Sequence, residues 1–172
     1  MGKNSGDLRF VVHEHHATHL HYDFRLEMGG VFKSWAIPKG PSMNPSEKRL
    51  AIMVEDHLLE YGAYEGIIPE GHYGAGAVVI WDEGSYAPAG EGNPEEQLER
   101  GRFSFELKGK KLKGGFSMAF LRGRGKGNQW LLMKRKDEQS DPNFKLEVAL
   151  TGGKRQKLEV KIPPCEIDSG PH

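Results

Sequence analysis

Histidines are crowded into one short stretch near the N-terminus of the sequence. Five of the eight fall within nine residues, at His13, His15, His16, His19 and His21. On a strand, His21 and Asp23 would project from the same face, and imidazole and carboxylate are common ligands of divalent metals. A third ligand from His15 would leave coordination positions open for water or substrate, which is typical of a catalytic metal. The alternative is a polar outer strand of solvated histidines.

Cationic side chains accompany this candidate metal site. Arg25 extends the face of Asp23 and could hold an anion that also touches the metal, an arrangement that suits a phosphate. An ion pair with Glu27 is the alternative for Arg25. Lys39 lies in a stiff turn and Arg49 opens the next strand, where each is either a phosphate contact or ordinary surface charge.

The sequence Val54-Glu55-Asp56-His57 closes that next strand, and Tyr61 follows four residues later. His57 is a candidate acid, base or phosphate donor, because its ordinary pKa lies close to neutrality. The alternative is an inert histidine in a loop.

Apolar and polar residues alternate with period two through much of the chain, which predicts a β protein. In residues 18–28 the alternation gives one apolar face and one ionisable face. Gly29-Gly30 then supplies a two-residue turn into a partner strand, residues 31–37. The other predicted strands are residues 9–13, 49–55, 77–82, 102–108, 116–122 and 129–135. About eight strands predict an all-β, mainly antiparallel fold, a compact barrel or a sandwich.

Helix signals are rare. Asn93 as N-cap, Pro94 in the first turn and Gly101 at the end predict one short surface helix, so the fold should hold one or two short helices. Glycine-rich residues 62–76, 84–92 and 123–127 predict long loops, which are frequent places for sites. After Asp141-Pro142 a further hairpin is predicted, with Gly152-Gly153 as its turn.

Length and composition indicate one globular domain. The chain has 172 residues, 37% hydrophobic and 28% charged, which we divide into a flexible N-terminus (1–7), a domain (8–160) and a flexible C-terminal tail (161–172). It contains neither the roughly 18 apolar residues of a membrane span nor a signal peptide. A single cysteine, Cys165, excludes an internal disulfide and fits a reducing compartment. We expect a cytoplasmic monomer.

The formal net charge is zero, yet the charges are segregated along the chain. Residues 107–136 hold ten Lys or Arg and no acid, whereas residues 55–106 hold twelve acids and two arginines. Such blocks can form one basic and one acidic surface, and a basic surface can follow phosphates whatever the total charge. Residues 108–126, and Lys110, Lys111 and Lys113 above all, are therefore predicted to form a basic strip that binds DNA. A solvated lysine-rich hairpin is the alternative.

Four motifs occur in order along the chain. They are His15-x5-His21-x-Asp23-x-Arg25, Lys33-Ser34-Trp35-Ala36-Ile37-Pro38-Lys39-Gly40-Pro41, Val54-Glu55-Asp56-His57 and Glu65-Gly66-x2-Pro69-Glu70-Gly71-x-Tyr73-Gly74-Ala75-Gly76. Together they resemble the 3′-phosphoesterase domain of bacterial DNA ligase D, from about residue 8 to about residue 136. The resemblance implies a β-barrel enzyme that trims 3′ ends at DNA breaks. It would remove a terminal ribonucleoside, leaving a 3′-phosphate, and then remove that phosphate.

The resemblance also implies a site. The metal would be Mn²⁺, with Co²⁺ or Zn²⁺ as other occupants, and its ligands would be His15, His21 and Asp23. The scissile phosphate would be surrounded by Arg25, Lys39, Arg49 and His57, with Tyr61 and with Glu55 or Asp56 in support. Because His13, His16 and His19 are also present, the first ligand stays open among four histidines, and His72 stands where another residue is expected.

The implied partners are primer-template DNA with a DNA or RNA 3′ end, and a separate ligase, polymerase and end-binding protein. The Lys-x-Asp-Gly motif of nucleotidyl-transferring ligases does not occur in the sequence. We therefore expect a free-standing form of the domain or a fragment of a fused protein.

Two other functions are open. His21, Asp23 and a distant His57 or His72 could form the facial triad of a non-haem iron oxygenase. A non-catalytic nucleic-acid-binding module could use the basic strip, with Trp35, Tyr73 and Trp130 stacking on bases. These aromatic residues alternate like core residues, however, which favours burial.

Overall fold

The fold is given by a computed structural model that describes residues 7–164. Its strands are β1 (Leu8–His16), β2 (Leu20–Met28), β3 (Val31–Ile37), β4 (Arg49–His57), β5 (Gly66–Ile68), β6 (Gly76–Ala89), β7 (Arg102–Lys108), β8 (Lys113–Phe120) and β9 (Gln129–Lys134). Its helices are α1 (Pro94–Arg100), α2 (Gly152–Lys157) and a 3₁₀ helix (Leu59–Ala63). Cys165, most of the predicted C-terminal tail and nearly all of the predicted N-terminal one lie outside the described residues.

Eight strands close into an antiparallel barrel. They follow the order β1-β2-β3-β4-β9-β8-β7-β6, and β6 pairs back onto β1, while β5 adds a short ninth strand to β6. The predicted all-β barrel of about eight strands with one or two short helices is therefore confirmed. Within residues 7–164 no helix is long and apolar enough to span a bilayer.

The barrel interior holds the apolar half of each alternating strand. On β2, Tyr22, Phe24, Leu26 and Met28 are buried in the core, as the alternation predicts. Phe105 on β7 stacks against Phe116 on β8, with ring centroids 6.2 Å apart. Since the interior takes these aromatic side chains, the ionisable residues of β2 occupy the outer face of the wall.

Tight turns set the register of the strands that carry this outer face. Gly29 and Gly30 have φ values of 66° and 84°, which a two-residue hairpin turn needs and which glycine adopts without steric cost. The turn places Arg25 opposite Ser34 on β3. A slip of one residue would turn every ionisable side chain of β2 into the core, so burial of the apolar face stabilises this register.

The chain after β9 packs against the barrel. The Trp81 indole donates to the Glu147 carbonyl at 2.9 Å, and the fully buried Glu14 carboxylate accepts from the amides of Ala149 and Leu150 at 2.6 and 2.9 Å. The hairpin predicted around Gly152-Gly153 is wrong. The Thr151 side chain accepts from the Lys154 amide at 3.0 Å and caps α2 there.

The loop predicted at residues 84–92 is also largely wrong, because β6 continues to Ala89. Gly84 lies inside that strand, where a Cβ would collide with the Lys108 carbonyl. Glycine there permits close passage of two backbones rather than a turn. The predicted helix was placed correctly, and its Asn93 and Glu96 form a reciprocal capping box.

Candidate metal and phosphate site

Three side chains from β1 and β2 converge on the outer wall. The cross-strand pair His15 and His21 stands beside Asp23, and one donor atom from each residue lies within 4.8 Å of the other two. His15 Nδ1 is 3.4 Å from Asp23 Oδ2, and His21 Nε2 is 3.2 Å from Asp23 Oδ1. Ligands about 2.1 Å from one metal ion are themselves about 3.0–3.4 Å apart, so these spacings fit a common ion.

Backbone carbonyls orient both imidazoles toward Asp23. His15 Nε2 donates to the Gly74 carbonyl at 2.7 Å, and His21 Nδ1 donates to the His19 carbonyl at 3.2 Å. Because a carbonyl only accepts, the hydrogen of each neutral ring is fixed on that side and the other nitrogen presents a lone pair to Asp23. Without a metal a proton can occupy this space, and the ring then donates to Asp23, whereas with both rings neutral the two lone pairs and the carboxylate form a donor set that fits a divalent metal.

The charge of Asp23 is secured by its neighbours. Burial alone would raise the pKa of Asp23, but hydrogen bonds from His15 and His21, together with the positive charge of Arg25, hold it well below its usual value. Burial lowers the pKa of His21, yet the Asp23 hydrogen bond and charge outweigh burial and raise it. The carboxylate is therefore ionised and able to ligate at any pH near neutrality.

Arg25 is buried directly beside the triad and is held by its neighbours. Its Nε donates to His13 Nδ1 at 3.0 Å, its Nη1 donates to Ser34 Oγ at 2.9 Å, and its Nη2 lies 3.6 Å from Asp23 Oδ2. The guanidinium also stands 4.6 Å from the Tyr61 ring centroid. A fixed cation beside a metal-ligand carboxylate provides a place for an anion.

The remaining histidines of the N-terminal cluster have other roles or partners. Because Arg25 always donates, His13 must accept at Nδ1 and donate from Nε2 to the Tyr64 carbonyl at 3.1 Å. Burial and the Arg25 charge lower the pKa of His13 well below its usual value. His16 pairs with Glu14 at 2.7 Å, and His19 is exposed. The geometry thus favours His15 as the first ligand.

His57 is connected to Arg25 through Ser34 and Tyr61. Its Nδ1 donates to the Glu55 carbonyl at 3.0 Å and lies 3.5 Å from Ser34 Oγ, while its ring meets Tyr61 edge-on at 4.6 Å. Burial and the Arg25 charge lower the pKa of His57 to about 4. The imidazole is therefore neutral near pH 7, and its Nε2 is available to accept a proton.

Comparison with known proteins agrees with this geometry. A family model of the DNA ligase D 3′-phosphoesterase domain matches residues 13–119, which include all of these side chains. The chain belongs to this family. The phosphoesterase domain is 51% identical over 137 residues to the multifunctional non-homologous end joining protein LigD of Pseudomonas aeruginosa, covering 80% of this chain and 16% of that protein.

The chain is also similar to LigD proteins of mycobacteria. The protein of Mycolicibacterium smegmatis is 41% identical over 144 residues, covering 80% of this chain and 18% of the relative. That of Mycobacterium tuberculosis is 41% identical over 138 residues, covering 80% and 17%. The phosphoesterase domain thus spans less than a fifth of each relative it matches.

Four predicted site residues are less directly connected to the cluster. Arg49 donates to the Gly40 carbonyl at 3.1 Å and pairs with Glu47 at 3.3 Å, and Lys39 is exposed beside Gly40. Asp56 pairs with Lys33 at 3.0 Å, and Glu55 supports His57 through its carbonyl. His72, noted for its unusual position, is exposed.

Sequence reasoning missed Ser34 and Gly74 and took His13 for a surplus ligand. Ser34 is fully buried and bridges Arg25 and His57. The Gly29-Gly30 turn would have revealed it, because a two-residue hairpin pairs residue 25 with residue 34. Gly74 reaches His15 from 59 residues away in sequence, and no local pattern reports such a contact.

The aromatic residues considered for base stacking divide into two groups. Trp35 and Trp130 are buried in the core, as their alternation predicts. Tyr73 is 82% exposed, so the prediction of burial is wrong for this residue. It lies in the turn that presents the Gly74 carbonyl to His15, where Gly71, Gly74 and Gly76 have positive φ, and the alternation rule does not apply in such a turn.

Proposed function

We propose that this domain is a metal-dependent phosphoesterase that processes DNA 3′ ends. It removes a terminal ribonucleoside by diester hydrolysis, leaving a 3′-phosphate, and then hydrolyses the phosphate to a 3′-hydroxyl. The observation that carries the proposal is the position of Arg25, buried and 3.6 Å from the Asp23 carboxylate of the triad. This adjacency suits an anionic substrate that touches metal and guanidinium together.

His15 Nδ1, His21 Nε2 and one or both Asp23 oxygens would hold the metal. Two imidazoles and one carboxylate suit Mn²⁺, the ion we propose, and also Co²⁺ or Zn²⁺. A bound divalent ion supplies Lewis-acid stabilisation of charge that develops on phosphoryl oxygens. The same triad type serves iron oxygenases, but the buried guanidinium and the family membership favour phosphoester chemistry.

Arg25 and His57 would act on the phosphate together with the metal. The Arg25 guanidinium neutralises oxygen charge that grows toward the transition state, and its fixed bonds to His13 and Ser34 keep it in position without reorganisation. Neutral His57 takes a proton at Nε2 from the water that attacks phosphorus, and the terminal nucleoside leaves on its 5′-oxygen. Tyr61 packs on both side chains and positions them.

We place Lys39, Arg49, Glu55 and Asp56 in supporting roles. Lys39 and Arg49 lie at the end of β3 and the start of β4, where a strand of DNA that leaves the site would meet their charge. The Glu55 carbonyl accepts from His57 and Asp56 pairs with Lys33, so both residues would hold the backbone next to His57 in position.

The relatives are named as multifunctional non-homologous end joining proteins. We infer that the domain works in the same kind of break repair in the cytoplasm. It would act as a monomer on primer-template ends, with a ligase, a polymerase and an end-binding protein as partners.

The test is a 3′-end assay on a labelled primer-template with one terminal ribonucleotide. Manganese should give stepwise shortening to a 3′-phosphate and then a 3′-hydroxyl, and chelator should abolish it. His21→Ala should be inactive, whereas His19→Ala should be active, because the His19 backbone carbonyl that orients His21 remains. An intact strand with persistent DNA binding would instead indicate a non-catalytic nucleic-acid-binding module.

A further inference from the structure

The basic strip predicted from the sequence is divided between opposite ends of β8. At the start of β8, Lys108 and Lys113 share a cavity with Glu106, Asp137 and Glu138, so acids offset the local positive charge. Lys110 and Lys111 also lie before β8, whereas Arg122, Arg124 and Lys126 follow its end, in the loop that leads to β9. The two groups therefore differ in electrostatic character.

At this second end, four arginines line one open cavity of about 410 Å³. They are Arg100, Arg102, Arg122 and Arg124, which we call the arginine pocket. They come from the end of α1, the start of β7 and the β8–β9 loop, and all four are exposed. Two segments that are distant in sequence, residues 100–102 and the β8–β9 loop, thus bring like charges together, and the lining contains no acidic residue.

Nothing in residues 7–164 neutralises the arginine pocket by direct pairing. The arginine and lysine ion pairs of this part of the chain involve Arg25, Lys33, Arg49, Lys134 and Lys154. Arg100 donates to the Glu91 carbonyl at 2.7 Å. This hydrogen bond holds the Arg100 side chain in place but does not neutralise its positive charge. The nearby Glu96 carboxylate is occupied by the N-cap of α1. Four arginines around one cavity whose lining holds no acidic residue would gain free energy from a bound anion.

The backbone beside the arginine pocket is open to a large ligand. Gly123, Gly125 and Gly127 have φ values of 73°, 56° and 79°, and a Cβ on Gly123 or Gly127 would meet open space. Glycines at these points allow a ligand to approach the main chain between Arg122 and Arg124. A flexible strand of phosphates can follow such a surface.

The arginine pocket is remote from the metal and phosphate site. The barrel order places β8 four strands from β2 in either direction, so β8 and Arg25 lie on opposite walls, while the far end of the β8–β9 loop reaches β4 through the Asn128–Met53 hydrogen bond. An anion bound at the arginine pocket is therefore a different group from the scissile phosphate at Arg25.

We propose that the arginine pocket binds the phosphodiester backbone of DNA at a point away from the reacting 3′ end. The choice of DNA rests on the proposed function, whereas the anion site rests on the four arginines alone. Guanidinium forks match the geometry of phosphate oxygens, and such contacts position a duplex without reading its sequence. The bound phosphates belong either to the substrate duplex or to a second DNA molecule.

The test compares two triple variants of equal charge change. Arg102, Arg122 and Arg124 are replaced together by Gln, and the control replaces Lys108, Lys110 and Lys113 at the other end of β8. DNA affinity is measured by fluorescence anisotropy between 50 and 300 mM salt on duplexes of 10 and 30 base pairs. The arginine triple should bind about tenfold more weakly or worse, and its log–log salt slope should fall by about two to three, because each phosphate contact contributes about 0.9.

The duplex lengths identify the source of the phosphates. A loss of affinity that is seen only with the 30-base-pair duplex would assign the bound phosphates to the substrate duplex. A change from two bound 10-base-pair duplexes per chain to one, seen by sedimentation, assigns them to a second molecule. Hydrolysis of a short dinucleotide substrate should be unchanged in the arginine triple and lost in His21→Ala, which separates this proposal from the proposed function.

Three outcomes overturn the proposal. Unchanged DNA affinity and salt slope in the arginine triple would remove the pocket from DNA binding. Equal losses in both triples would show a diffuse field without a site. Unchanged DNA affinity together with lost binding to poly-L-glutamate would assign the pocket to an acidic protein partner.

Discussion

The Gly74 carbonyl accepts a 2.7 Å hydrogen bond from His15 Nε2 and thereby turns Nδ1 of the same ring toward Asp23. Gly74 has a φ of 77°, and a Cβ there would lie 3.2 Å from His15 Cε1. The turn that contains Gly74 thus supports the proposed metal site, and substitutions in it should act on metal affinity.

Gly74→Ala should weaken Mn²⁺ binding about 10- to 100-fold, the usual range for loss of a group that orients a metal ligand. Isothermal titration calorimetry measures this directly. Gly71→Ala is the matched control, since Gly71 has a similar φ of 89° but nothing within 4 Å of its Cβ position. Equal losses in both variants would mean that general backbone strain, and not the contact with His15, determines affinity.

Asp23→Asn should abolish the rise in melting temperature that Mn²⁺ produces. The amide keeps the shape of the side chain but removes the negative charge that draws a cation between His15 and His21. Differential scanning fluorimetry with and without Mn²⁺ gives the shift. Asp56→Asn, which disturbs only the 3.0 Å pair with Lys33, should keep it. A metal-induced shift that survives Asp23→Asn would place the metal elsewhere.

Ser34→Ala should lower kcat/KM about tenfold while the metal-induced rise in melting temperature persists. The substitution removes the acceptor of Arg25 Nη1 and the hydroxyl between Arg25 and His57. A buried donor left without an acceptor costs about 1–3 kcal/mol, which should also lower the free energy of unfolding. Steady-state kinetics and urea unfolding measure the two effects. Activity equal to that of the unaltered chain would show that Arg25 is held well enough by His13 alone.

Sequence patterns were sufficient to predict those site residues whose side chains recur with the two-residue period of a strand. His21, Asp23 and Arg25 alternate with core residues, so both their shared face and their proximity follow from the sequence. Sequence patterns could not predict contacts between residues that are brought together only by closure of the barrel. His13 resembles its neighbours in sequence, yet only the position of Arg25 makes it an acceptor rather than a ligand.

The same distinction explains the wrong predictions. Gly84 and Gly152-Gly153 resemble turn residues, but close backbone passage and a Thr151 cap account for them. Tyr73 appeared to continue an alternating pattern, but it lies in a turn and is exposed. The sequence shows where a glycine lies but not which part of the folded chain packs against it.

The low pKa of His57, about 4 because of burial and the Arg25 charge, should make stability depend on pH. Below the ordinary histidine value of about 6.5 the unfolded chain binds a proton that the folded chain does not, so stability falls as the pH falls from 6.5 toward 4. Between pH 6.5 and 5 this loss is on the order of 2 kcal/mol, and His57→Gln should remove that part of it. Urea unfolding in chelator at the two pH values measures the difference. Parallel pH curves for His57→Gln and the unaltered chain would mean that His57 titrates normally in the fold.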